Sequence, residues 1–317
     1  MAQKNQSDFL ISHFIITGFD GLQNSQFRIT VFMFFLLIYI MTLLGNIVFL
    51  LIIKQNVHLH SPMYLFICNL AVLDICLTSV TVPQVMHQLL WNDSYIEFKS
   101  CIVQMGLFIC FNVTECFMLA VMAYDRYQAI CNPLYYPTVM SNGHASRLAV
   151  SCWVPGILVG VGHTWTVFTL PFCGPNKIVY YFCEHLSIII LSCIDVSTYS
   201  LITVTLVLVI MCIVMCFIAL TYMKILVTVT KVASPGGHQK AFSTCVSHLI
   251  VIFVFICVQG GILLSYQIRD SYLSLSVLVG VFQNIFPPLM NPIIYCLKTK
   301  EIRLSFLKML QKNATNN

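Results

Sequence analysis

Long apolar runs alternate along the chain with short polar breaks. Their length is what a bilayer demands, since a helix crossing the hydrocarbon core needs about 20 mostly apolar residues. Seven such runs occur, at roughly 27–53, 62–83, 101–127, 146–168, 197–223, 243–265 and 273–296. At roughly 298–311 the pattern changes: Ile302, Leu304, Phe306, Leu307 and Leu310 are interleaved with Lys300, Arg303, Lys308 and Lys312, which suits a helix lying in the headgroup plane. The expected fold is an all-α membrane protein, a seven-transmembrane helix bundle with a short amphipathic eighth helix. It divides into an extracellular segment 1–26, a seven-span domain 27–296 and a cytoplasmic helix and tail 297–317. Residues 1–26 lack a charged start, apolar core and small-residue cleavage site, so helix 1 is expected to act as an uncleaved membrane signal.

Composition excludes the soluble alternative. Of 317 residues 59% are hydrophobic and 9% charged, with a mean hydropathy of +0.88, whereas a soluble domain carries about 25% charged residues. The net charge of +5 comes without a basic cluster, so no nucleic-acid partner is expected. The charges instead set orientation. With the N-terminus outside, eleven of the sixteen Lys and Arg fall on the inner side, as the positive-inside rule requires. That places the C-terminus in the cytoplasm of a multi-pass plasma-membrane protein whose spans contact membrane lipid. Asn5-Gln6-Ser7 and Asn92-Asp93-Ser94 are glycosylation sequons on segments expected outside, with Asn5 the candidate acceptor.

Of fifteen cysteines, four fall on the outer side: Cys101, Cys173, Cys183 and Cys193. An even set in an oxidising compartment suggests two disulfides, and the sequence allows three pairings. The remainder sit in or at the ends of spans, where a thiol packs as a small hydrophobe.

Two acids lie deep in expected spans, Asp74 and Glu115. Intramembrane charge is costly and usually functional. At about 1.5 Å per residue the two sit at similar depths, and no Lys or Arg lies deep in a span to neutralise them. Either they share a cation such as sodium or they form a protonated, hydrogen-bonded pair. At the inner end of helix 3 stands Asp125-Arg126-Tyr127, poised for a local ion pair or for contacts on other helices. Helix 7 carries Asn291-Pro292-Ile293-Ile294-Tyr295, where the proline frees a carbonyl that Asn291 could help satisfy.

In order, Gly45-Asn46, Asp74, Cys101, Asp125-Arg126-Tyr127 and Asn291-Pro292-Ile293-Ile294-Tyr295 resemble the rhodopsin-like G-protein-coupled receptors. Finer strings, from roughly residue 8 to 311, resemble the odorant (olfactory) receptor family within them. These are Leu59-His60-Ser61-Pro62-Met63-Tyr64, Met122-Ala123-Tyr124-Asp125-Arg126-Tyr127, Lys240-Ala241-Phe242-Ser243-Thr244-Cys245 and Pro287-Pro288-Leu289-Met290-Asn291-Pro292. The resemblance implies disulfides Cys101–Cys183 and Cys173–Cys193. It also implies a coupling switch built from Asp125, Arg126, Tyr127, Tyr222, Lys240, His248, Asn291, Pro292 and Tyr295. That switch would admit a heterotrimeric G protein of the stimulatory class and raise cyclic AMP. The resemblance favours the cation reading for Asp74 and Glu115; no other cofactor is expected. Two positions depart from the family pattern: Gln128 stands where valine is common, and Phe255-Ile256-Cys257 where Phe-Tyr-Gly is common.

With the ligand between the outer halves of helices 3, 5, 6 and 7, helical spacing nominates its contacts. They are Phe108, Ile109, Asn112 and Val113; Leu206, Val207 and Ile210; Phe255, Ile256, Gln259 and Leu263; and Val281 and Asn284, with His185 and Leu186 as a lid. Most are apolar, which suits a small, largely hydrophobic odorant. Gln267 and Arg269 lie at the outer mouth, Arg269 beside Asp270 in a loop. A rhodopsin-like receptor for a non-odorant metabolite is the alternative. A transporter or channel would need an inverted repeat, paired broken helices or rings of pore charge, and an intramembrane enzyme a catalytic pair on facing helices. The sequence shows none of these, so an enzyme is not expected.

Overall fold

The structure is a computed structural model that describes residues 11–19, 24–173, 175–232, 249, 252–253 and 273–315. Six described helices are long and apolar enough to cross a membrane. They are α1 (Ser25–Gln55), α2 (Pro62–Trp91), α3 (Phe98–Cys131), α5 (Asn142–Thr169), α7 (Ser197–Val232) and α8 (Leu273–Lys298). Short helices α4 (Tyr136–Val139) and α6 (His185–Ile189) lie in connections, and α9 (Lys300–Thr315) follows α8. The expected sixth span, 243–265, lies outside the described residues except for Leu249, Ile252 and Phe253. All three are helical, and Ile252 is buried in the same cluster as Tyr222 and Tyr295.

The membrane shows in which side chains are left outside. Phe27, Leu37, Leu44, Leu201, Phe217 and Leu220 are exposed, whereas Asn46, Asp74, Glu115 and Asn291 are buried. Polar groups turned inward and large apolar groups turned outward is the arrangement of a bundle bathed in hydrocarbon.

Helix α3 runs through the middle and packs on α2, α5 and α7. Its closest seam, with α5, is made by small residues. Gly106, Cys110 and Thr114 on α3 face Gly156, Gly160 and Thr164 on α5. A Cβ at Gly160 would lie 2.7 Å from the Gly106 carbonyl oxygen, and one at Gly156 2.5 Å from that of Cys110. Between membrane helices, where burial from water gives no drive, such close backbone approach supplies the packing.

Helix α2 continues past its expected end near residue 83 to Trp91. Pro83 does not stop it, because a proline inside a membrane helix costs one hydrogen bond that neighbours can compensate. The extra turns carry Gln88, whose Nε2 donates to the Ile16 carbonyl at 2.9 Å. Ile16 belongs to β1 (His13–Ile16), the central strand of a small sheet absent from the sequence reading. β2 (Tyr95–Glu97) pairs with β1 antiparallel, Phe14 opposite Ile96, and β3 (Lys177–Ile178) pairs parallel, Ile16 opposite Ile178. The sheet covers what is called here the mouth end of the bundle; α4 and α9 mark the tail end. The all-α class stands with this sheet added.

Both disulfides lie at the mouth: Cys101–Cys183 joins α3 to the long loop before α7, and Cys173–Cys193 closes that loop on itself. Helix α9 buries Ile302 against the bundle and leaves Leu304 and Leu307 exposed.

Candidate functional site

Below the mouth, α3, α5, α7, α8 and the loop around α6 line a cavity of about 180 Å³. Nine of the nominated ligand contacts line it: Phe108, Ile109, Asn112, Val113, His185, Leu206, Val207, Ile210 and Asn284. Leu186, nominated with His185 as a lid, lines it too. Val281 does not; it lies on the same helix face as Asn284 but about one turn nearer the mouth, where its side chain packs into the apolar cluster under the sheet. Phe255, Ile256, Gln259 and Leu263, and Gln267 and Arg269 at the mouth, lie outside the described residues.

The structure adds wall residues that the sequence reading missed. Val159 and His163 come from α5, which was not counted among the pocket helices, and Tyr180, Phe182 and Glu184 come from the loop. The loop reaches the cavity because the Cys101–Cys183 bridge draws it over α3. Gln104 reinforces that placement: its Nε2 donates to the Val80 carbonyl at 2.8 Å and its oxygen accepts the Cys183 amide at 3.1 Å. The ring of Phe182 then packs on Phe108 at 4.6 Å between centroids. Beneath, Asn284 donates to the buried Tyr181 hydroxyl.

Deeper in the bundle Asp74 is fully buried, with both carboxylate oxygens accepting from Asn291 Nδ2 at 3.1 Å. Glu115 is its electrostatic neighbour and lines a small void with Asn112, Gln283 and Asn284. The Asn291 amide is therefore spent on Asp74. Pro292 frees the carbonyl of Pro288, and that oxygen accepts from Asn46 Nδ2 at 3.0 Å instead. Gly45, beside Asn46, gives this approach its room, since a Cβ there would sit 3.3 Å from the Pro292 ring.

At the tail end Arg126 pairs with its neighbour: Nε and Nη2 both donate to Asp125 Oδ2, Nε at 3.1 Å. Both residues are buried. The other Asp125 oxygen accepts from Tyr136 Oη at 2.8 Å. Burial first, then the Asp125 charge, pushes the Tyr136 phenol up, so it stays a donor. Tyr136, in the loop helix α4, was not nominated from sequence. Gln128 stacks in register beside this cluster. Its Nε2 donates to Tyr124 Oη at 2.8 Å, and its Oε1 accepts from Asn132 Nδ2 at 2.9 Å. Tyr222 and Tyr295 are buried in the same tail-end core, with Tyr127 half-buried beside it. Lys240 and His248 lie outside the described residues, as does Asn5.

A family model described as "Olfactory receptor" matches residues 35–313. The chain belongs to the olfactory receptor family. Human olfactory receptor 10C1 is 41% identical over 305 residues, covering 96% of each chain. Human olfactory receptor 6B1 is 37% identical over 310 residues, 97% of each. Mouse olfactory receptor 5G25 is 35% identical over 314 residues, covering 98% of this chain and 96% of its own. The receptor is thus a seven-span G-protein-coupled receptor and a multi-pass membrane protein, not an enzyme.

Proposed function

We propose that the receptor binds a small, largely apolar odorant in the 180 Å³ cavity and signals through a G protein of the stimulatory class to raise cyclic AMP. The observation that carries this reading is the placement of two separate devices on one helix. α3 lines the cavity with Phe108, Ile109 and Val113 near the mouth and holds the Asp125–Arg126 pair at the tail. A ligand that repositions α3 or α7 acts on both ends of the same rigid rod. In this reading the mouth and N-terminus face outside, the tail end faces the cytoplasm, and Asn5 accepts glycan.

Between the two devices lie Asp74 and Glu115. Among the described residues no Lys or Arg contacts Asp74, whose hydrogen-bond donor is the neutral Asn291 amide. Two neighbouring buried carboxylates with no cation among the described residues would be neutralised by a sodium ion, which Asp74 and Glu115 would hold. If they do, Asp74→Asn should remove any effect of sodium on the ligand response; a response indifferent to both sodium and this change would leave the pair as a protonated contact.

The direct test is cyclic-AMP readout in cells carrying the receptor, challenged with a chemically diverse odorant panel. Concentration-dependent signals are expected, lost in Arg126→Ala at equal surface expression. Silence across the panel with the receptor at the surface would defeat the odorant reading in favour of a non-odorant ligand.

A further inference from the structure

His185 is almost wholly buried, 5% exposed, and lines the cavity from the loop that Cys183 anchors. Its Nε2 lies 3.1 Å from Thr203 Oγ1 on α7. Its Nδ1 has no hydrogen-bond partner among the described residues. A buried imidazole nitrogen left unmet costs free energy, and a ligand that meets it recovers that cost.

The surroundings restrict what that ligand can be. His163 stands edge-on to His185 with ring centroids 4.5 Å apart. Its Nδ1 is 2.9 Å from the Val159 carbonyl, which can only accept, so Nδ1 carries a proton. Burial first, and His163 second, push the His185 imidazole down to about 3, so it stays neutral. Glu184 adds a negative charge to the wall, with both oxygens already accepting from the Leu186 and Ser187 amides at 3.0 and 2.7 Å. Among the described residues no Lys or Arg lines the cavity.

Each ligand chemistry then meets a different fate. A carboxylate finds Glu184 in the wall and, among the described residues, no cation. A hydrocarbon leaves Nδ1 unmet. An ether or ketone only accepts, and so matches only the tautomer with a proton on Nδ1. An ammonium must shed water beside a carboxylate already saturated by two amides. A hydroxyl both donates and accepts, and so meets His185 Nδ1 in either tautomer that the Thr203 hydroxyl permits. The volume sets the size: a dry cavity of about 150 Å³ holds benzene, so about 180 Å³ holds a ring or short chain with one substituent.

We propose that His185 is the polar anchor of the odorant cavity, and that it selects small neutral alcohols or phenols over isosteric ethers, hydrocarbons, acids and amines. This rests on the odorant-receptor reading above. The test uses the full-length purified receptor and ligand-induced thermal stabilisation, which needs no G protein. Probes are the alcohol, methyl ether, hydrocarbon, carboxylic acid and primary amine on octyl, p-menthane and phenylethyl skeletons. The alcohol of at least one skeleton is expected to stabilise best. In His185→Phe its half-effective concentration should rise about tenfold to a hundredfold, with weak hydrocarbon binding unchanged, and His185→Gln should retain most of the preference. If His185→Phe does not accumulate, Thr203→Val keeps the shape while removing the group that orients the imidazole. It should weaken alcohols selectively, and equal weakening of hydrocarbons would overturn the anchor. An ether, acid or amine binding as well as its alcohol, or alcohols indifferent to His185→Phe, would also overturn it while leaving a ligand-binding receptor. Silence on every skeleton would overturn the odorant reading and this inference together.

Discussion

His185 gives the receptor a pH dependence whose sign follows from its burial. The unfolded chain takes up a proton near pH 6.5, while the folded imidazole, pushed down by burial and by His163, resists protonation until about pH 3. The unfolded state therefore binds more protons between those values, and stability falls as pH drops below about 6.5, by up to about 1.4 kcal/mol per unit. His163 faces the same ring edge-on. Thermal unfolding between pH 7.5 and 5 should show a steeper acid loss in the native receptor than in His185→Gln; equal slopes would mean that His185 takes up its proton in the folded state. The residue itself was legible as a candidate, because it follows Cys183 in a loop expected over the mouth. Its partner was not, since His163 sits in a span excluded from the expected pocket. The donor at the Pro292 kink, expected to be Asn291, was misread for a related reason. The donor nearest in sequence to the Pro292 kink is Asn291, but the donor nearest in space belongs to α1, 242 residues from Pro288.

Between elements, the α3–α5 seam is the least forgiving contact. Gly156 and Gly160, four apart, let α5 lie against the α3 backbone, and any side chain at Gly160 meets the Gly106 carbonyl before it meets a movable atom. Gly160→Val is expected to cost about 1–3 kcal/mol or more, read as a lower melting temperature and reduced surface expression. Gly162 has open space around its Cβ position, so Gly162→Val should be close to neutral. Wild-type stability in Gly160→Val would show that the helices can separate freely. Hydrophobic run length located these helices to within a few residues at most ends, because the hydrocarbon thickness imposes it. It failed at the ends of α2 and α7: residues past Pro83 leave the apolar pattern yet stay helical, with Gln88 turned to β1 rather than to lipid, and α7 runs past its expected end near 223 to Val232, Lys224 and Lys231 breaking the apolar run but not the helix. The three strands were invisible for a plainer reason. β1, β2 and β3 span four, three and two residues, too short for any alternation to register.

At the scale of the whole molecule, the proposed ligand recognition depends on a loop whose position is set covalently. Cys101–Cys183 fixes residue 183 over α3, and Glu184 and His185 follow directly. Reduction of the bridge should abolish ligand-induced stabilisation while far-UV circular dichroism keeps its helical signal, because no span depends on the bridge for its backbone hydrogen bonds. Simultaneous loss of both signals would instead tie the bundle itself to the loop.

The sheet that covers the mouth also imposes an order of assembly. β1 leaves the ribosome before any span, yet it is the central strand, and its neighbours lie beyond two spans in one case and four in the other. In the proposed orientation the N-terminal strand crosses early and then waits, without its sheet partners, until α1, α2, α3 and α5 have been threaded and residue 178 has followed them. The first described segment to be synthesised is thus among the last to be locked, and biogenesis of the mouth cannot finish before more than half of the chain has been inserted.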